Sequence, residues 1–402
     1  MKAELMLAKA ILKASDTCYT VPGYPVTRLG ELTNAEFTIN EKVALEYALG
    51  DSLSGRRSAV IVKNAGMNTL SDTLVNATVQ GLKAGVVIIA GDDTEPRGSQ
   101  NRQDSRYYSE VAQVPVIGPG TKDISSSVEL AYEASEKFSR VSILRVTPDI
   151  LSSDVSGEIP DRKDSFANTA GNDLTMKGRC DLADNITAEM FEWSHPPVIY
   201  PPPKKSEYVK ISEEKGRPFS EEHKNLKPPK VTKNPETFKS RGFSRTLCKN
   251  CPYKELFSMI SGSGKKAICD TGCSLLSKNP PYGFGTANYG LGSSPAVAAK
   301  STKIALTGDY ALLHSGINAL IDIKEKNLPL LCIVLKNKKM GMTGMQNAPD
   351  IMPYISWADP LIIPAGSPEK VLKYLREGTE FLKIIVVEGE CPPGEEHEAI
   401  KC

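Results

Sequence analysis

The sequence predicts an α/β protein in which two sets of parallel strands, each flanked by helices, are joined by a long linker rich in proline and lysine. Short apolar, β-branched runs alternate with segments of helical periodicity in the first and last thirds of the chain. The middle third contains repeated prolines and mixed charges, which bury too little apolar surface to offset the entropy of ordering. We therefore predict domains over residues 1–150 and 244–402, with an extended linker over 151–243.

Each domain can be divided into elements. In the first domain we predict strands at Ser58–Lys63, Gly85–Ala90 and Val141–Val146, and helices at Glu41–Ser54 and Ser125–Arg140. In the second domain we predict strands at Lys266–Cys269, Ile304–Thr307, Leu330–Leu335 and Lys383–Glu388.

Charge and cysteine content narrow the class of protein. The 402 residues carry 49 basic and 48 acidic side chains, so charge favours neither nucleic acid nor an anionic membrane as a partner. No apolar run is long enough to span a bilayer. Nine cysteines without a recognisable export signal indicate the reducing cytoplasm, with metal or redox roles for some thiols.

The most informative segment is 306–337, which is predicted to form strand, helix, strand. Asp309 follows the first strand and Asn337 follows the second. The carboxyl ends of neighbouring parallel strands are where such sheets bind ligands. A carboxylate and an amide oxygen there suit a hard divalent cation that carries a diphosphate. The plainer interpretation is a helix-capping aspartate and a turn asparagine.

Several motifs resemble one enzyme family. Gly308-Asp309-Tyr310, followed after 26 residues by Asn337, is similar to the GDG…NN motif of thiamine-diphosphate enzymes, with Tyr310 at the last Gly and Lys336 at the first Asn. The other blocks are PGYPVT (22–27), INEKVALEYALG (39–50), KNAGMN (63–68), AGDDTEPRGSQNRQDSR (90–106), LCKNCPYKELF (247–257), CDTGC (269–273) and NKKMGMTGMQNAPD (337–350). Together they resemble the large subunits of indolepyruvate:ferredoxin oxidoreductases. The match leaves out the linker and stops before that family's C-terminal ferredoxin-like domain.

The resemblance implies two thiamine-diphosphate-binding domains, for the pyrimidine (1–150) and the diphosphate (244–402). It assigns the Mg²⁺ ligands to the side chains of Asp309 and Asn337 and to the main-chain carbonyl of Lys339. It implies further cofactor contacts at Gly308, Tyr310, Gly285, Thr286, Ala287, His314, Met342, Thr343 and Asn64. The family has histidine where this chain has Asn64, so the identity of the 2-oxo acid stays open.

Glu41 follows a predicted N-cap, Asn40, in the first turn of a helix. An acid is electrostatically favourable there whatever its function. By resemblance, Glu41 is the catalytic glutamate that hydrogen-bonds N1′ of the aminopyrimidine. The proton shared there promotes removal of the C2 proton of the thiazolium.

Four cysteines form a second group of candidate ligands. Cys248 and Cys251 make a C-x-x-C motif, while Cys273 and Cys391 come near the ends of predicted strands. The quartet resembles the ligands of a [4Fe–4S] cluster in 2-oxoacid:ferredoxin oxidoreductases. Structural zinc and plain buried thiols are the alternatives.

The resemblance implies oxidative decarboxylation of a 2-oxo acid of the indolepyruvate or aryl-pyruvate type. The implied cofactors are thiamine diphosphate, Mg²⁺ and a [4Fe–4S] cluster. The implied partners are coenzyme A, ferredoxin or a similar acceptor, a second copy of the chain and a smaller subunit. A non-oxidative 2-oxo acid decarboxylase that releases an aldehyde, and a non-catalytic relative, are the alternative functions.

Overall fold

A computed structural model describes residues 1–163, 165–193, 198–199 and 234–402. The chain forms two compact units. Unit 1 consists of Met1–Phe37, Gly55–Ala170 and Met176–Pro235, and unit 2 consists of Thr38–Ser54, Gly171–Thr175 and Glu236–Cys402. The short segment that carries Glu41 therefore belongs to the unit built mainly from C-terminal residues.

Unit 1 is built on a seven-stranded sheet in the order β2-β1-β3-β4-β6-β5-β7. Its strands are β1 (Thr17–Thr20), β2 (Glu36–Phe37), β3 (Ser58–Lys63), β4 (Val86–Gly91), β5 (Val116–Ile117), β6 (Ser142–Val146) and β7 (Val198–Ile199). Neighbouring strands are parallel except β5 and β7. Strands β3 and β4 are almost wholly buried, as expected for central strands covered on both faces.

The helices of unit 1 cover this sheet. They are Ala3–Ala14, Thr27–Leu32, Gly66–Gln80, Tyr108–Val111, Ile124–Phe138, Pro148–Ser152 and Met176–Trp193, with a 3₁₀ turn at Ser105–Tyr107. One apolar core joins the first helix to the sheet through Leu7, Ile61, Ile89 and Leu144, all fully buried.

Part of the segment predicted as an extended linker is folded. The helix Met176–Trp193 packs Met190 and Trp193 against Phe138. The buried guanidinium of Arg140 donates to the carbonyl oxygen of Ala183 at 2.7 Å. Such a polar contact leaves no apolar stripe in the sequence, so the spacing of apolar residues did not reveal this helix. Most of the proline-rich part, 194–197 and 200–233, lies outside the described residues.

Unit 2 contains a six-stranded, wholly parallel sheet in the order β10-β9-β11-β12-β16-β15. Its strands are β9 (Ala267–Cys269), β10 (Gly285–Ala287), β11 (Ile304–Gly308), β12 (Leu330–Lys336), β15 (Leu361–Pro364) and β16 (Leu382–Glu388). Two antiparallel pairs complete it: β8 (Phe243–Cys248) with β17 (His397–Lys401), and β13 (Lys339–Met340) with β14 (Gln346–Asn347).

The helices of unit 2 lie around this sheet. They are Glu41–Leu53, Phe238–Arg241, Lys254–Gly262, Ser294–Lys300, Asp309–Ala311, Ile317–Glu325, Met352–Ile355 and Glu369–Glu377, with 3₁₀ turns at Cys273–Lys278 and Ser356–Ala358 and a π turn at Leu312–Gly316. The predicted α/β class, with parallel sheets flanked by helices, is confirmed. Over the part of the chain that is described, no helix combines the length and apolarity needed to cross a membrane.

Candidate active site

The candidate site lies at the carboxyl edge of the sheet of unit 2. Strands β11 and β12 are parallel neighbours, with Gly308 opposite Leu335. Asp309 follows β11 directly, and Asn337 follows β12 directly. The two polar side chains therefore start from adjacent strand ends, which is where parallel sheets bind ligands.

Asp309 is buried, with 2% of its surface exposed. Its Oδ1 accepts a hydrogen bond from the Tyr310 N–H, and its Oδ2 accepts one from the Lys338 N–H, both at 2.8 Å. Burial raises the pKa of this carboxyl, while these backbone N–H groups act in the opposite direction. A cation at the carboxylate would favour the ionised form, so the environment of Asp309 suits a cation ligand.

The two polar atoms of the Asn337 side chain have different partners. Oδ1 accepts from the Lys339 N–H at 3.0 Å, and Nδ2 donates to the sulfur of Cys391 at 3.0 Å. An amide oxygen keeps a second lone pair when it accepts one hydrogen bond. Asn337 and Asp309 together thus offer oxygen ligands of the type that Mg²⁺ prefers.

A cavity of about 430 Å³ opens beside these residues. Seven of the residues singled out from the sequence as cofactor or Mg²⁺ contacts line it: Gly308, Asp309, Tyr310, Asn337, Lys339, Met342 and Thr343. So does Cys273, one of the four candidate cluster ligands. The volume of the cavity is in the range of small-molecule binding sites.

The remaining predicted contacts lie elsewhere in the fold. Gly285, Thr286 and Ala287 form β10, and the Thr286 hydroxyl donates to the Ala267 carbonyl. They are not among the residues that line the cavity.

His314 and Asn64 also lie outside the cavity lining. His314 is exposed on the π turn Leu312–Gly316, with its ring 6.2 Å from that of Tyr310. Asn64 lies in unit 1 directly after β3, where it is fully buried and its Oδ1 accepts from the Ala65 N–H.

Glu41 begins the helix Glu41–Leu53, and Asn40 caps that helix by accepting from the Val43 N–H at 2.9 Å. The segment just before it is tied to the C-terminal part of unit 2, because the Ile39 N–H donates to Oδ1 of Asp322. The helix packs closely on Ser294–Lys300 within the same unit. Both contacts fix the position of Glu41 relative to the C-terminal elements of unit 2.

The four predicted cysteine ligands come together at the same edge of the sheet. Burial raises the pKa of Cys251 and of Cys273 to about 12, and nearby cysteines in the quartet contribute to both shifts. Burial also raises the pKa of Cys248 and Cys391. The four thiols are therefore held mainly in the protonated form, and binding to a metal would deprotonate them.

Zinc and a four-iron cluster place different demands on a cysteine quartet. Over residues 1–163, 165–193, 198–199 and 234–402, no three His, Cys, Asp or Glu side chains are arranged around a single ion. Structural zinc needs four ligands converging on one point at about 2.3 Å for sulfur. A four-iron cluster is wider, since each thiolate binds a different iron.

Gly341 lies against two of the thiols. A Cβ added at Gly341 would lie 3.5 Å from the sulfur of Cys273 and 3.8 Å from that of Cys391. These two sulfurs therefore face the same short stretch of backbone after β13. His397 also approaches the quartet, with Nε2 3.5 Å from the sulfur of Cys273.

Sequence reasoning missed two contributors to the site. Tyr253, two residues after the C-x-x-C motif, is buried and lines the cavity. Lys336, at the first Asn of the family motif, is buried and forms ion pairs with Glu388 at 2.8 Å and Asp350 at 3.1 Å. Burial alone would lower the pKa of Lys336, but these two hydrogen bonds raise it above its ordinary value. The departure from the motif at Lys336 was the only sequence signal for this ion-pair pattern.

Comparisons with known proteins agree with this description. Residues 270–362 match the family model of the thiamine pyrophosphate enzyme, C-terminal TPP binding domain, a span that includes Asp309 and Asn337. The resemblance to thiamine-diphosphate enzymes is confirmed. The indolepyruvate oxidoreductase subunit IorA of Methanothermobacter marburgensis is 34% identical over 154 residues, which is 36% of this chain and 25% of that protein. IorA of Thermococcus kodakarensis is 34% identical over 154 residues, 35% of this chain and 24% of that protein.

The alignments with these relatives thus span about a quarter of their length. Among solved structures, the thiamine diphosphate-dependent 4-hydroxybenzoylformate decarboxylase of Rhodococcus jostii RHA1 has a TM-score of 0.62 at 12% identity. That match covers 98% of this chain and 100% of the decarboxylase. At so low an identity it shows that the two chains share a fold.

Proposed function

We propose that this chain is the thiamine-diphosphate-binding subunit of an oxidoreductase that decarboxylates a 2-oxo acid of the indolepyruvate or aryl-pyruvate type. One molecule of 2-oxo acid and one of coenzyme A would give acyl-coenzyme A, CO₂, two electrons and two protons. The electrons would pass one at a time to ferredoxin or a similar acceptor. The single observation that carries this proposal is the 3.0 Å contact of Asn337 with Cys391, which joins a cation-type oxygen site to a thiol quartet.

The oxygen donors have defined roles in this proposal. The side chains of Asp309 and Asn337, with the main-chain carbonyl of Lys339, would hold Mg²⁺ and through it the diphosphate. The buried carboxylate and the amide oxygen at adjacent strand ends fit that ion in charge and in ligand type. Bound thiamine diphosphate would supply a carbon nucleophile and an electron sink.

Glu41 would hold a proton at N1′ of the aminopyrimidine. The backbone of Glu41 is fixed, because Asn40 caps the helix and the Ile39 N–H donates to Asp322. A residue that must keep one proton in place requires such a fixed position. Met342 and Thr343 are exposed at the cavity, on the connection between β13 and β14, and would lie next to the bound cofactor.

Cys248, Cys251, Cys273 and Cys391 would hold a [4Fe–4S] cluster. Their mutual proximity and the mixture of C-x-x-C with two distant cysteines fit such a cluster. A cluster beside the cofactor site gives electrons a short exit path. Without any electron acceptor, the reaction would end in non-oxidative loss of CO₂.

The comparisons also support proposals about assembly. IorA is named as a subunit, which favours a partner subunit for this chain. We propose that this partner is the smaller subunit and that a second copy of this chain completes the assembly.

The test is anaerobic purification of the full chain with its partner subunit, followed by iron, sulfide and thiamine diphosphate analysis. We expect a brown protein that contains four irons per chain and consumes a 2-oxo acid in the presence of coenzyme A and an electron acceptor. Asp309→Asn should lose Mg²⁺-dependent binding of thiamine diphosphate. Cys251→Ser should lose iron, whereas Cys402→Ser, at an exposed thiol outside the quartet, should keep it.

Three results would contradict the proposal. An iron-free wild-type protein that releases an aldehyde from a 2-oxo acid would make it a non-oxidative decarboxylase. Failure to bind thiamine diphosphate in the presence of Mg²⁺ would indicate a non-catalytic relative. Equal iron content in Cys251→Ser and Cys402→Ser would remove the quartet as the cluster site.

A further inference from the structure

The Asn337 side chain contacts both halves of the candidate site. Its Oδ1 faces the backbone of the turn at Lys339, beside the buried carboxylate of Asp309. Its Nδ2 donates to the sulfur of Cys391 at 3.0 Å. A planar amide cannot rotate one of these atoms without moving the other, so the two contacts depend on each other.

Cys391 is well placed to respond to that contact. It follows β16, the strand next to β12, so Asn337 and Cys391 leave adjacent strands of one sheet. On the other side of Asn337, the carboxylate of Asp309 accepts a hydrogen bond from the N–H of the next residue, Lys338. The oxygen donors and the thiol therefore lie at the same edge of the sheet.

Hydrogen bonds to cluster sulfurs, net charge and solvent exposure determine the reduction potential of an iron–sulfur cluster. A hydrogen bond to a thiolate stabilises the more negative, reduced cluster and raises its potential. Groups that contact a metal ligand also orient that ligand. An amide N–H at 3.0 Å from one of four thiols can have both effects.

We propose that Asn337 is a positioning residue that links the diphosphate site to the thiol quartet, with its oxygen on the cation side and its N–H on Cys391. This inference rests on the proposed function. Occupation of the diphosphate site fixes the amide plane and shifts the reduction potential of the quartet. Because linkage is reciprocal, the redox state of the quartet changes the affinity for Mg²⁺ and thiamine diphosphate by the matching factor.

The test uses anaerobically purified full chain with its partner subunit, titrated with dithionite and followed by electron paramagnetic resonance. Asn337→Asp keeps an oxygen for the cation but removes the N–H donor to sulfur. Lys338→Asn is the matched control: it changes the charge by the same amount at an exposed neighbour and keeps the Asn337 amide. Asparagine also tolerates the positive φ of 57° at position 338.

We expect a more negative midpoint potential for Asn337→Asp than for the wild type and Lys338→Asn. Adding Mg²⁺ and thiamine diphosphate should shift the potential of the wild type and shift that of Asn337→Asp less. Asn337→Ala, measured without Mg²⁺ and cofactor, supplies an uncharged loss of the same N–H. Asn337→Ala should also have a lower midpoint reduction potential than the wild type. It provides the test if Asn337→Asp fails to fold or to bind the cluster.

The inference is overturned if Asn337→Asp and Lys338→Asn have the same potential, or if Asn337→Ala titrates like the wild type. A role limited to holding the backbone would give that result. If the wild type contains iron but the variants have the same reduction potential as the wild type, the linkage is refuted and the proposed function is not. Iron-free wild type would refute the proposed function and the linkage with it.

Discussion

Replacing Gly50 with alanine should loosen the helix that carries Glu41. Gly50 lies in Glu41–Leu53, where that helix crosses Ser294–Lys300 within unit 2. An added Cβ would lie 2.5 Å from the carbonyl oxygen of Val297 and 2.9 Å from the Cβ of Lys300. Neither atom belongs to the flexible end of a side chain, so the two helices would have to move apart.

Two opposing effects determine the magnitude. Alanine is favoured over glycine inside a helix by about 1 kcal/mol. Overpacking typically costs about 1–3 kcal/mol, and a contact of 2.5 Å with a backbone oxygen belongs at the upper end of that range. We therefore expect Gly50→Ala to lower the free energy of unfolding by about 2 kcal/mol.

The assay is urea denaturation followed through Trp357, the tryptophan of unit 2, in a Trp193→Phe background. Gly262→Ala is the matched control, since it makes the same chemical change in a helix where no atom lies within 4 Å of the new methyl group. It should raise stability by about 0.5 kcal/mol. If Gly50→Ala were as stable as Gly262→Ala, the close helix crossing would be refuted.

Three further predictions concern single side chains. Burial alone would raise the pKa of Asp104, but Arg106 and Arg145 lower it below its ordinary value, so Asp104→Asn should lower the free energy of unfolding by about 3 kcal/mol at neutral pH. The cost should shrink as pH falls through the folded-state pKa of Asp104, because the wild type then loses the same charge. Lys336→Met should lower stability by about 1–2 kcal/mol in urea denaturation, since both carboxylates paired with Lys336 lose their partner. Glu41→Gln should lower turnover of the best 2-oxo acid by about 100-fold or more without changing stability.

Two of these predictions have a control variant, and the third has a pH dependence that tests its cause. Glu255→Gln changes an exposed acid in the first turn of another helix and should leave turnover unchanged. Lys370→Met removes an exposed lysine and should leave stability within about 0.5 kcal/mol of the wild type. If the loss of unfolding free energy in Asp104→Asn stayed constant from neutral to acid pH, ion pairing of Asp104 would be refuted as its cause.

Much of the sheet architecture was predictable because buried parallel strands are short, apolar and β-branched. The strand Ser58–Lys63 was predicted at its observed bounds, and the other six predicted strands differ from the observed strands by one residue at one or both ends. The N-cap at Asn40 was also predictable, because capping depends on local residues. The helix Met176–Trp193 was missed, and some of the contacts that hold it, such as that of Arg140 with the Ala183 carbonyl, are polar and leave no periodic apolar pattern.

The helix that follows Asp309 contains an irregular turn. In the sequence, Leu313, Ile317, Leu320 and Ile321 occur at regular helical spacing. The π turn at Leu312–Gly316 widens the helix by one residue, so the buried apolar residues include Leu312, Leu320 and Ile323. Such turns are frequent at functional sites, and regular periodicity cannot reveal them.

In the candidate site, adjacent strand ends were predictable from the order of β11 and β12, whereas side-chain partners were not. Nothing in the sequence indicates that the Asn337 amide would reach Cys391, because that contact depends on β16 lying beside β12. The ion pairs of Lys336 depend on the same neighbour, since Glu388 lies opposite Lys336 in the register.

The pairing of β17 with β8 has a consequence for maturation. It sets His397 opposite Cys248, bringing the final strand back to the strand that precedes the parallel sheet of unit 2. The thiols of Cys248 and Cys391 can therefore come together only after the residues between them have been synthesised. Under the proposed function, iron delivery to the quartet would have to follow the synthesis of Cys391.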